Sequence, residues 1–397
     1  MSLRPTWAEI SISRLRRNYA RLRSAAPDVA LMAVVKANAY GHNAALCAPA
    51  LAGEGASWLG VTCLDEGIAL RRALPQPRVL LMSGVWQGEA ESAIEHRLTP
   101  VVWETPHLAW LEEAAAQQNV TDFAVHIEID SGMSRQGLRP EQVDAFLAAL
   151  AQCKRLRVEG VMTHFHSPEV LDSSATATQM ENFSRALQVL ADAGVTPSII
   201  HAGNSATALT PAMTQAVSAL AKKHTATAMV RPGLSLYGYS PRFAGEGAAQ
   251  VKDLLEPVLS WKTRVISLRD IEPGETAGYN ATFRAARRSR LALLPVGYAD
   301  GLNRLLSGCN SGGGFVLVRG QRAPIAGRVS MDLTIVDVTG IDGVALGDEV
   351  AIIGEQGGER ITAYELADAA GTIPYEVLCA IGSRVPRRIA EEDDGDA

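Results

Sequence analysis

Residues 29–55, VALMAVVKANAYGHNAALCAPALAGEG, decide how the first 240 residues are read. Residues 29–36 form an apolar, β-branched run that ends in a cation, Lys36, and the residues from Gly41 onward have the spacing of a helix. A short buried strand followed by a helix is one βα unit, and the unit recurs. WLGVTC (58–63) precedes LDEGIALRRAL, RVLLMSG (78–84) precedes QGEAESAIEHR, and PVVW (100–103) precedes TPHLAWLEEAAAQQN. FAVHIEID (123–130) and VEGVMTHF (158–165) have their own helical partners, and PSIIHAGN (197–204) and AMVRPGLSLYG (228–238) complete the series. Eight strand-like runs with helical patterns between them are the composition of a (β/α)8 barrel. A doubly wound open sheet has the same local pattern; the number of repeats is what favours closure.

Beyond SPRFAGEGAAQ (240–250) the texture changes. LSWKTRVISLRDI, SRLALLPVGYADG, GGFVLVRGQRAPIAGRV, LTIVDVTG and DEVAIIGEQ are short strands separated by Gly, Asp and Pro turns. The expected architecture is α/β: a TIM-like barrel over residues 10–245, then a mostly β domain built from 1–9 and 246–397, with the Gly/Ala-rich stretch 243–249 as linker. A length of 397 residues suits two domains, since one core stops growing near ~250–300 residues.

A net charge of −6 gives no footprint for nucleic acid, and no run approaches the roughly 18 apolar residues of a membrane span. The amino terminus lacks the apolar core of a secretory signal and reads as mature protein. Cys47, Cys63, Cys153, Cys309 and Cys379 are scattered and never in a Cys-x-x-Cys pair, which suggests neither disulfides nor zinc and fits the cytoplasm. Small molecules are the expected partners.

In such a barrel, chemistry sits at the carboxyl ends of the strands, so polar residues that close an apolar run are the informative ones. Lys36 closes the first strand. An ordinary rim lysine snorkels into water, whereas one in a partly desolvated mouth is a usable nucleophile and base. In the fifth strand Val125, Ile127 and Ile129 share one face and His126, Glu128 and Asp130 the other, which points into the barrel and needs partners. Arg135 on the following loop is one candidate, and a structural ion pair of Glu128 with an arginine is compatible with a functional role. The sixth strand ends in THFH, the seventh in HAGNSA, and the eighth begins VRPG; Asn204, Ser205 and Gly233 offer small donors and amides suited to a phosphate.

AVVKANAYGHN, IDSGMSRQG, THFH, HAGNSA, VRPGLSLYG, GYNATF, PVGYADG, GRVSMD and TIPYEVLCAIGSRVPRR occur in this order between about residues 6 and 388. The set resembles bacterial alanine racemase. The resemblance implies a pyridoxal 5'-phosphate enzyme, barrel plus β domain, acting as a head-to-tail homodimer with shared sites that interconverts L- and D-alanine and supplies D-alanine for peptidoglycan. It implies that Lys36 carries the cofactor imine and is the base on one face of the substrate, with Tyr279 of the partner subunit on the other. Tyr40, Ser205, Gly233, Leu234 and Tyr375 would hold the phosphate, with Asn204 beside them. His164 would pack on the ring, Arg231 would face the pyridine nitrogen, and His201 would link Arg231 to the tyrosine base. Arg135 would hold the substrate carboxylate, while Met331, Tyr298 and Asp332 would shape or support the pocket. Glu128 stands where many relatives carry a carbamylated lysine, and its carboxylate is expected to orient Arg135 without carbon dioxide. His166 is assigned no role. Alternatives are a racemase for serine, lysine or a broader set, and a non-catalytic carrier of the cofactor.

Overall fold

The computed structural model describes residues 4–251, 254–308 and 313–391, and every count below is of those residues. Eight parallel strands close into a barrel: β1 (Ala30–Val34), β2 (Trp58–Val61), β3 (Arg78–Leu81), β4 (Thr99–Val102), β5 (Phe123–Ile129), β6 (Leu156–Thr163), β7 (Ile199–Ala202) and β8 (Thr227–Val230). Strands pair in chain order, and β8 closes on β1 with Met229 opposite Ala30 and Val230 opposite Leu31. Helices follow the strands as the apolar spacing requires. In Ser174–Asp192 the side chain of Ser173 caps the first turn by accepting from the Ala175 amide, and Gln179, Phe183, Leu187 and Leu190 line the buried face.

Met32, Trp58, Leu80, Val101, Met162 and Met229 form an apolar layer inside the barrel. Full burial of each such side chain stabilises by about 1.5–3 kcal/mol. These residues come from β1, β2, β3, β4, β6 and β8. The interior positions of β5 and β7 are taken by His126 and His201, both fully buried, with rings 5.0 Å apart and edge to face. Pairing of β5 with β6 is in register up to Val125–Val158 and resumes at His126–Gly160, so Glu159 is the extra residue of a bulge.

Three strand ends differ from the sequence expectation. β1 stops at Val34, so Lys36 lies beyond the strand rather than closing it. β8 stops at Val230, so VRPG leaves the strand instead of beginning it; Pro232 has no amide to donate to a ladder. Asp130 falls outside β5, where its carboxylate accepts from the amides of Gly132 and Ser134 and pairs with Arg139 at 3.6 Å rather than facing the interior.

The chain divides into two compact units, residues 15–39 with 44–256, and residues 1–14, 40–43 and 257–397. The stretch 243–249 lies within the first unit, where Ala244 bridges to Val170 and accepts from the Leu171 amide at 2.9 Å. The second unit is mostly β. Its seven-stranded sheet runs Gln321–Pro324, Phe315–Val318, Glu349–Gln356, Leu259–Arg264, Thr6–Ile10 and Arg387–Ile389, with Glu359–Ile361 pairing off the path. A second sheet joins Ser267–Ile271, Ser289–Leu294 and Thr334–Asp337. Among the described residues no helix is long and apolar enough to cross a membrane, and Cys47, Cys63, Cys153 and Cys379 remain thiols; Cys309 lies outside the described residues.

Candidate active site

The backbone that carries Lys36 is unusual from the next residue on. Ala37, Asn38 and Ala39 have φ between 51° and 58° with ψ of 49°, and Tyr40 follows at φ 53°. Left-handed geometry costs an L-residue roughly 1–2 kcal/mol, so a run of four is strain that the surroundings must hold in place. The holding contacts are visible: the Ala39 amide donates to Val35 O at 2.8 Å, the Ala44 amide to Asn38 Oδ1 at 2.8 Å, and the Asn38 amide to Glu66 Oε1 at 3.3 Å. Lys36 emerges half-buried at the head of this turn.

Arg231, just past β8, is 4% exposed. One Nη2–H donates to Thr163 O at 2.7 Å and the other to His164 Nδ1 at 3.2 Å, while Nη1 donates to His201 Nδ1 at 3.4 Å. A guanidinium has five donors, so among the described residues Nε–H and one Nη1–H are left over. Burial draws the Arg231 pKa down to about 10, with Glu128 opposing and Arg135 adding to the fall, which leaves it charged at neutral pH. Burial, then Arg231, Arg135 and Lys36, push His164 down to about 3, so its ring is neutral with the proton on Nε2. His201 is where the expectation fails. Both its nitrogens are occupied inside the barrel, by Arg231 and, at 2.9 Å, by His126 Nδ1, and its ring has no exposed surface. It has no free atom for a phenol. His164, partly exposed at the mouth and with no partner on Nε2 among the described residues, is the histidine that a group in the mouth can reach.

Ser205 opens the short helix Ser205–Ala208, capped by Asn204, whose side chain accepts from the Ala206 amide at 3.0 Å. The Ser205 hydroxyl oxygen accepts from the amides of Gly233 at 3.0 Å and Ser235 at 3.2 Å, so its own proton points elsewhere. The Gly233 amide expected to meet a phosphate is therefore already engaged. What remains is the Ser205 O–H and the first-turn amides of Ser205 and of Leu234, which begins the 3-10 turn Leu234–Tyr237. Thr207 packs so closely on Gly203, at φ 86°, that a Cβ there would lie 2.3 Å from Thr207 Oγ1.

Glu128 is 2% exposed, but its partner is Gln136, whose Nε2 donates to Oε2 at 2.5 Å and also to Met82 O at 3.0 Å. Burial raises its pKa, partly offset by Gln136, Arg231 and Arg135. Among the described residues it makes no ion pair with Arg135, which is exposed and has no hydrogen-bond partner. The hydrogen bond to Glu128 thus comes from Gln136, while Arg135 acts on its carboxylate through charge alone. His166 is exposed and bonded to Ser167 Oγ at 2.7 Å.

The remaining expected residues belong to the second unit. Tyr40 and Tyr375 face each other with ring centroids 6.0 Å apart, and burial holds the Tyr40 phenol above the usual range, with smaller contributions from Tyr375 and Cys379. Tyr279 is 68% exposed on a turn after Gly278, and Tyr298 and Met331 are exposed too. Asp332 pairs with Arg384 at 2.6 Å and lies 4.0 Å from Arg4. Sequence reasoning missed Gln136, Thr163 and Glu159, and gave His126 no task. The alternation in AVHIEID flagged His126, but nothing local signals a bulge at Glu159.

The family model described as alanine racemase, N-terminal domain, matches residues 10–241, and that of the C-terminal domain matches 258–389. The chain is 38% identical to alanine racemase of Halothermothrix orenii over 99% of its own length and 98% of the relative's. It superposes on alanine racemase from Bacillus anthracis with bound L-Ala-P at a TM-score of 0.88 and 33% identity, covering 99% of this chain and 97% of that one. Against alanine racemase from Bartonella henselae with covalently bound pyridoxal phosphate the TM-score is 0.82 at 27% identity, over 97% and 99% of the two chains.

Proposed function

Because the chain belongs to the alanine racemase family, we propose that it interconverts L- and D-alanine with pyridoxal 5'-phosphate, in a homodimer whose sites draw on both copies. The observation that carries this reading is the set of unused donors at one end of the barrel: the Arg231 Nε–H and second Nη1–H, the Ser205 hydroxyl, the Leu234 amide and the Arg135 guanidinium, near the amine of Lys36. That set fits the cofactor, with an amine for the aldehyde, amides and a hydroxyl for the phosphate, and a cationic donor for the ring nitrogen. Tyr40 and Tyr375 are assigned to the phosphate by the family resemblance. When bound, pyridoxal phosphate condenses with amines and draws electrons from the bond to the α-hydrogen.

Lys36 Nζ moves the proton on one face of the α-carbon, and Tyr279 Oη of the partner subunit moves it on the other. Two bases are needed because removal and return occur on opposite faces. Arg135 takes the substrate carboxylate with donors that nothing else among the described residues uses. Arg231 stays charged near neutral pH and has no lone pair, so it donates to the ring nitrogen without protonating it, which limits electron withdrawal and favours return of the proton to carbon. Exposure of Tyr279, Tyr298 and Met331 on the second unit supports a face that a second copy covers. The product D-alanine feeds peptidoglycan synthesis in the cytoplasm.

Incubation with L-alanine in deuterated water should give D-alanine carrying α-deuterium, and borohydride reduction of the holoenzyme should leave a pyridoxyl group on the peptide containing Lys36. Cofactor-loaded protein that exchanges no α-hydrogen, or an adduct on another lysine, would overturn the reading.

A further inference from the structure

A polar line crosses the apolar interior of the barrel from one end to the other. Arg231 donates to His201 Nδ1 at 3.4 Å, His201 Nε2 meets His126 Nδ1 at 2.9 Å, and His126 Nε2 meets Glu159 Oε2 at 3.4 Å. Arg78 donates to Glu159 Oε1 at 2.5 Å, and Arg157 lies 3.7 Å from the same oxygen. Both histidine rings are fully buried.

The direction of every bond follows from its ends. A guanidinium only donates, so His201 Nδ1 must accept and its proton must sit on Nε2. That proton goes to His126 Nδ1, which therefore also carries its own proton on Nε2. The last acceptor is a carboxylate, which only accepts while ionised, and its bonds from His126 and Arg78 outweigh burial and keep it so. No proton in the line has a second place to go. The fold makes room for this arrangement: the bulge puts Glu159 within reach of His126, and Gly160 lets the ring lie against β6, where a Cβ would come within 2.5 Å of Nδ1.

We propose that His126 and Glu159 are positioning residues that act through His201 to hold the Arg231 guanidinium in one orientation at the barrel mouth. Without the acceptor on Glu159 or the ring of His126, His201 can move its proton to Nδ1, and a donor then faces the donors of Arg231. The proposal rests on the racemase reading for its catalytic consequence and on the hydrogen-bond geometry alone for its structural one.

The test has two arms. Nitrogen-15 spectra of histidine-labelled wild-type holoenzyme, with His126→Gln and His201→Gln used for assignment, should show both rings neutral and protonated on Nε2. An Nδ1–H tautomer at either ring overturns the proposal, whether or not the protein is a racemase. In the second arm, Glu159→Leu and His126→Phe are loaded with cofactor. They should lose kcat by about tenfold, the factor that one lost hydrogen bond to a charged group makes, with KM nearly unchanged. They should also shift the visible absorbance of the bound cofactor, and Glu159→Gln, which keeps an acceptor oxygen, should recover most of both. Folded variants with wild-type absorbance and kcat overturn the proposal. A wild-type enzyme that does not racemise alanine would instead count against the functional reading and leave the tautomer arm standing.

Discussion

At the amino ends of the barrel strands Arg71 donates to the carbonyls of Leu74, Pro75, Pro77, His96 and Arg97, and Arg78 and Arg157 are tied to Glu159 and Asp122. At the carboxyl ends, among the described residues, Arg231 uses three of its donors and Arg135 none. Both regions are rich in arginine, and the floor has a cleft of about 430 Å3 lined by Arg71, Arg78, Arg97 and Arg157. What separates them is unused hydrogen-bonding capacity and stored backbone strain. The floor answers its charges with carboxylates and carbonyls and so holds structure together, while the mouth leaves donors open beside a left-handed turn and so has something to offer a ligand.

The largest break in this contrast should come from Lys36→Ala, which removes the amine at the strained turn. Racemisation measured by chiral chromatography is expected to fall by at least about 10⁴-fold, with thermal stability little changed. Next comes acid. His164 has a folded pKa near 3 against an ordinary 6.5, and burial lowers His126 and His201 as well. The unfolded chain therefore binds more protons over that window, and stability falls as pH drops from about 6.5 toward 3. Glu159, held at about 2 against 4.5, contributes stability that is present above 4.5 and disappears as pH falls through about 2. Calorimetry should show Tm declining below pH 6.5, by roughly 2–4 °C for each kcal/mol lost.

A smaller effect is expected from Gly160→Ala, whose Cβ would collide with the His126 ring and cost about 1–3 kcal/mol by denaturant titration. The smallest should be Glu128→Gln. An amide oxygen still accepts from Gln136, so activity should change by less than about threefold and should not respond to bicarbonate. A large loss on this substitution would instead support the expected role of its charge in orienting Arg135.

The barrel was legible because most strands are short apolar runs and the helices have their own period, so a single βα unit repeated eight times outweighs errors at any one boundary. The errors themselves have local causes. Lys36 reads as the end of a strand because nothing in KANAY announces four left-handed residues, among which alanine is a poor candidate. Ser205 was singled out by its place after a strand and Arg231 and His164 by the family resemblance, but their hydrogen-bond partners were not legible. Glu128 and Arg135 are seven residues apart with opposite charges, yet Glu128 bonds to Gln136. His201 was assigned outward to a phenol when it points inward to His126, a ring 75 positions away in the chain. Pairings of that kind depend on register and on a bulge, which no periodicity encodes.

Mixing two inactive variants tests most directly whether one site is built from two chains. Lys36→Ala and Tyr279→Phe should each be nearly inactive alone. After co-refolding in equal amounts, half the dimers are mixed and each has one intact site, so about a quarter of wild-type racemisation should return. Mixed dimers, verified by differently tagged subunits, that remain as inactive as their parents would contradict the account.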